Sequence, residues 1–146
     1  APGGQHKMMF DLTITGPGMF SLKDLFDLSL ELDVRIETKI MFAFHADIVM
    51  SPFAWPRHIL DRKIDELLDY MMPLKTNKQD PLINTLIEMK KRPTFAEQFP
   101  DTHEHEFKNG KGYQDRLDEI RQEQYRLEDI YKLDTELYNW WKRNDG

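Results

Sequence analysis

At 146 residues the chain has the size of one ordinary domain, able to bury about two-thirds of the surface its unfolded form exposes. With no cysteine it lacks the sulfur for a disulfide framework, a thiolate zinc site, an iron–sulfur cluster or a cysteine nucleophile. A formal charge of −6 disfavours a broad phosphate-binding face, because affinity for nucleic acid comes mainly from Lys and Arg replacing counterions, so nucleic acid is not expected as a partner.

The apolar fraction is 40%, with nine Phe, five Tyr and three Trp, too much sticky surface for a chain that stays disordered. The longest apolar run, residues 40–50, carries His45 and Asp47 and falls short of the ~18 residues that a membrane span needs. No transmembrane span is expected, although peripheral contact with a membrane is compatible with the composition. The start at Ala1-Pro2 fits either removal of an initiator Met or cleavage of a targeting segment.

Residues 1–7 carry Pro, two Gly and no periodicity, and read as a flexible tail. Met8, Phe10, Leu12 and Ile14 then alternate as a short strand, closed by a turn at Gly16-Pro17-Gly18. From Ser21 to Met50 two patterns compete. Ser21 and Asp24 make an approximate capping box, and Leu22, Leu25, Phe26, Ser29, Leu32 and Ile36 follow a helical stripe. Yet even positions from 28 to 48 are almost all apolar while odd positions to 39 are polar, a strand period of two. The one turn candidate, Glu37-Thr38-Lys39, lacks the Gly that a three-residue hairpin loop wants. A long, bent helix is therefore preferred, with an antiparallel β section over residues 8–50 as the alternative.

Pro56 suits the first turn of a helix reaching Met72, with Leu60, Ile64, Leu67, Leu68 and Met71 on one face. Asp80-Pro81 opens the next helix, which carries Leu82, Ile83, Leu86, Ile87 and Met89 and finishes in Lys90-Lys91-Arg92, complementary to the helix dipole. Thr94 and Glu97 form a capping box for one short turn. Residues 101–112, polar and ending in two glycines, read as an exposed loop. Residues 113–143 read as one long amphipathic helix, with Leu117, Ile120, Gln124, Leu127, Ile130 or Tyr131, Leu137 and Trp141 at heptad-like spacing.

Catalytic signatures are missing from this pattern. His103 and His105 with Glu104 and Glu106 offer imidazole and carboxylate donors suited to a divalent metal, but one loop supplies two ligands at most. His45 with Asp47, and His58 near Asp61, are acid–base pairs only if a cleft unites them. Gly16-Pro17-Gly18 has neither the Lys nor the spacing of a phosphate loop. The carboxylates of 115–123 and 128–136 lack the Glu-x-x-His pattern of a di-iron bundle and read as a solvated face.

The aromatic residues are harder to place. Trp140 and Trp141 point about 100° apart on a helix, so at least one is expected to meet a second surface. Trp and Tyr suit partner interfaces because they bury large area with few rotatable bonds. The sequence thus predicts a mainly α fold, a single domain over residues 8–146, and a non-catalytic accessory subunit that docks on other protein chains. Phe42, Phe44, Trp55, Tyr131, Tyr138, Trp140 and Trp141 are its interface candidates. No metal or cofactor is expected, and the context is an intracellular multi-subunit assembly such as a mitochondrial energy-transducing complex. Two alternatives remain: a metal-binding protein or enzyme centred on His103 and His105, and a small-molecule binder on an N-terminal sheet.

Overall fold

The computed structural model describes residues 8–41, 48–121 and 126–144. The fold is mainly α with one short pair of strands. Strand β1 (Met9–Ile14) leads through a 3₁₀ turn (Pro17–Ser21) into helix α1 (Leu22–Leu32), and β2 (Arg35–Ile40) follows at once. The strands run parallel, in register from Met9 opposite Arg35 to Ile14 opposite Ile40. Parallel strands need a crossover, and α1 supplies it.

Residues 21–41 are thus neither the start of one long helix nor a hairpin, the two readings that the sequence suggested. Helix gives way to strand at Asp33, which takes the left-handed conformation at φ 55° and ψ 48°. Asp tolerates this region better than most residues with a Cβ. The joint is held by a buried polar group: Val34 N donates to Ser29 O at 3.0 Å, and Ser29 Oγ donates to Val34 O. Gln79 Nε2 in turn donates to Ser29 Oγ at 2.9 Å. Glu37-Thr38-Lys39, the hairpin candidate, lies in the middle of β2.

Helix α2 (Arg57–Met71) buries Ile59, Leu60, Ile64, Leu67 and Met71, close to the expected face. A 3₁₀ turn with a Thr76–Gln79 capping box precedes α3 (Asp80–Lys91), which buries Leu82, Ile83, Leu86 and Met89. Helix α3 also covers β2, where Thr38 Oγ1 and Thr85 Oγ1 share a hydrogen bond of 2.6 Å. The Thr94–Glu97 capping box forms as predicted and opens α4 (Phe95–Gln98).

The last third departs most from expectation. Helix α5 (His103–Arg121) begins inside the predicted loop, with Glu104 and Glu106 favourably placed in its first turn. The predicted helix over 113–143 is divided. Helix α6 (Leu127–Tyr131) starts after an extended Arg126, and α7 (Thr135–Arg143) starts after an extended Asp134 whose side chain accepts from Leu137 N. In one continuous helix, residues 131 and 141 would stand about 15 Å apart along the axis. Here their ring centroids are 5.2 Å apart. The heptad-like spacing survives as burial of Leu127, Tyr131, Leu137 and Trp141 on two short helices that fold onto each other.

Candidate functional site

The predicted interface aromatics fall into three groups. Trp55, Tyr131 and Trp141 are fully buried in the chain's own core, so docking of another protein cannot use them while the fold is closed. Tyr138 and Trp140 are half-buried. Phe42 and Phe44 lie outside the described residues, as do His45 and Asp47.

The buried three form an aromatic knot. Trp55 Nε1 donates to Tyr131 Oη at 3.2 Å, and the rings meet edge-on at 86° with centroids 5.9 Å apart. Phe107 packs on Trp140 at 4.9 Å and edge-on to Trp141 at 5.8 Å. Burial pushes the Tyr131 hydroxyl well above the ordinary phenol range, so it stays protonated. Gly16 lies directly against this pair: a Cβ there would stand 2.6 Å from Tyr131 Oη. Around the knot the charges are structural. Lys111 is buried with its ammonium 4.7 Å from the Trp141 ring centre and 3.7 Å from an Asp115 oxygen. Burial lowers its pKa, partly offset by Asp115. Arg62 reaches Asp134 at 2.9 Å and Glu136 at 3.2 Å, tying α2 to the start of α7.

The histidines do not converge. His103 Nδ1 is 3.2 Å from Phe99 O, and His105 Nε2 is 3.1 Å from Asn109 Nδ2. On a helix, residues two apart diverge by about 200°. Among the described residues no group of three His, Asp or Glu side chains is placed to hold a metal ion. His58 faces Glu136 at 3.7 Å, while Asp61 is engaged by Arg57 at 3.0 Å.

A feature missed by the sequence reading lies at the opposite end. Strand β1 is an edge: among the described residues no backbone hydrogen bond is made by residues 8–13 outside the β2 ladder. Its even side chains Phe10 and Leu12 line a groove of about 320 Å³ with Leu25 and Ile36, and a wider cleft of about 560 Å³ opens beside Met8, Met9, Val34 and Arg35. Leu25, Leu28 and Leu32 fall within about 60° of one another on α1, so the groove continues as an apolar stripe. Met8 is 65% exposed, Met9 50%, Leu28 40% and Leu32 48%. The signal was present in the helical stripe through Leu25 and Leu32, but only the fold reveals that this side of α1 flanks an open strand.

The other face of the pair carries Met9, Asp11 and Thr13 on β1 and Arg35, Glu37 and Lys39 on β2. Parallel sheets are usually covered on both faces. Among the described residues this one is covered by helices on its even side alone, and the odd side is largely polar.

Comparison with family models, with curated proteins and with solved structures finds no match to this chain. Among the described residues no helix is long and apolar enough to cross a membrane.

Proposed function

We propose that the chain is a non-catalytic accessory protein that docks on another protein chain through the β1 edge and the adjoining Leu25–Leu28–Leu32 stripe. One observation carries the reading: a strand edge that is unpaired among the described residues, with Met8 and Met9 exposed, shares an apolar groove with Leu25 of the α1 stripe. Natural folds usually protect strand edges with Lys, Pro or a covering element. β1 has neither Lys nor Pro and a single charge, Asp11. Contiguous apolar surface rimmed by polar groups is characteristic of protein-binding sites. The half-buried Trp140 and Tyr138 supply a second, smaller contact at most, because their neighbours are committed to the core.

The reading is tested by the mass of the native particle in an extract of its source cells, with a mitochondrial fraction as the first place to look. The wild-type chain is expected in a particle well above its own 17.5 kDa. The Leu28→Lys/Leu32→Lys variant is expected to leave that particle while keeping its melting temperature within a few degrees, since neither residue belongs to the buried core. A wild-type chain that runs as a monomer overturns the proposal.

A further inference from the structure

We infer that the partner adds an extended strand to β1, and that this strand alternates apolar and basic residues. The inference rests on the docking reading above and specifies the chemistry of its occupant. An unpaired row of backbone N–H and C=O groups is satisfied by another strand, whereas a docked helix leaves it unpaired. The pattern of the partner follows from the two faces of β1. On the helix-covered face, Phe10 and Leu12 line an apolar groove with Leu25, so alternate partner residues must be apolar.

On the other face the only charge in β1 is Asp11, and its neighbour across the ladder is Glu37. Glu37 is already bound by Arg35. Asp11 makes no ion pair with any described residue: directly opposite it on β2 is a carboxylate, with Arg35 and Lys39 only diagonal to it, and its other side is an open edge among the described residues. Like charges directly opposite in a sheet are unfavourable, and opposite charges favourable. A Lys or Arg entering beside Asp11 corrects that imbalance. The outer border of the α1 stripe adds to the preference, since exposed Glu31 has no ion-pair partner among the described residues either.

A second copy of this chain fits less well. Its β1 segment, MFDLTI, brings no cation, and antiparallel self-pairing sets Asp11 either against itself or beside Met9 or Thr13. The formal charge of −6 on each copy opposes the approach further.

The test uses the full chain and three capped octapeptides: alternating valine and lysine, alternating valine and glutamate, and the valine–lysine peptide N-methylated at every second amide. The valine–lysine peptide is expected to bind saturably and to shift the amide resonances of Met9 to Thr13. N-methylation is expected to weaken it at least tenfold, because it removes backbone pairing while leaving side chains and charge in place. Asp11→Lys, an exposed and conservative site for folding, is expected to exchange the preference in favour of the valine–glutamate peptide. Equal binding of both charge types, indifference to N-methylation, or shifts confined to residues outside β1 would each overturn the inference. So would a concentration-dependent doubling of mass blocked by Asp11→Lys, which would assign the edge to a second copy. A chain found in a large particle but indifferent to the peptides loses the strand pairing and keeps the docking function; a monomer that binds the valine–lysine peptide does the reverse.

Discussion

Gly16 and Tyr131 are far apart in sequence and depend on each other in space. A Cβ at position 16 would meet Tyr131 Oη at 2.6 Å and Trp55 Nε1 at 3.2 Å, closer than carbon and oxygen tolerate. Overpacking of this kind costs about 1–3 kcal/mol, so Gly16→Ala should lower stability by that order in urea unfolding. Tyr131→Phe leaves the Trp55 N–H buried without its acceptor, at about 1–3 kcal/mol. The double variant should cost less than the sum, because the phenylalanine removes the atom that the new methyl strikes. Strict additivity in that cycle would show that the two residues do not touch.

Asp134 combines two roles in one carboxylate, capping α7 at Leu137 N and receiving Arg62. Burial raises its pKa, but the backbone and Arg62 hydrogen bonds outweigh it, and the net direction is down. A depressed folded-state pKa stabilises above the unfolded value of about 3.9, and that contribution is lost as pH falls through the folded value. Asp134→Ala should therefore cost about 1–2 kcal/mol at neutral pH and progressively less as the pH is lowered below about 4. Asp134→Asn keeps the cap and should lose only part of this. Thermal unfolding of the three proteins from pH 7 to 3 provides the check.

At the scale of elements, the regions with local punctuation were legible and those decided by distant contacts were not. Pro56, Pro81, and the Thr94–Glu97 box fix α2, α3 and α4 through chemistry within one turn of the chain. The α1–β2 joint needed Gln79, fifty positions away from Ser29, and the parallel partner of β2 lies across a whole helix. A continuous alternation at 28–48 disguised both, because apolar residues at 28 and 32 serve a helix while those at 36 and 40 serve a strand. Residues 101–112 were read as a loop for their two glycines, yet α5 runs through them. Gly112 has a negative φ, and a Cβ there would meet only Arg116 at 3.8 Å. Gly112→Ala should accordingly stabilise the protein by about 0.5–1 kcal/mol, with the gain seen as a higher midpoint in denaturant. A loss would mean that α5 does not pass through this position as a helix.

For the whole molecule, the candidate interface moved from one end to the other. Sequence logic rightly separated Trp140 from Trp141 by their directions on a helix, and Trp141 is the one that entered the core. It could not assign Trp55 and Tyr131 to the same knot, because nothing local links residues 55 and 131. Trp141→Ala should cost about 3–5 kcal/mol, a large share of the 5–15 kcal/mol typical of a domain. Such a variant should lose native circular dichroism well below the wild-type melting temperature. The edge of β1 escaped notice for a similar reason: an alternating strand looks the same whether it lies inside a sheet or at its margin.

All three tryptophans of the chain, at 55, 140 and 141, stand around the same knot, where Trp55 meets Gly16 just past the Ile14 end of β1 and a strand's length from Met9. The protein's ultraviolet emission is therefore a reporter of one end only. It will follow the closing of α6 and α7 on α5, with excitation passed from Tyr131 to its indole neighbours, and it will be blind to a strand arriving at Met9. A titration followed by intrinsic fluorescence would show little change for a strand seated at the Met9 end of that edge.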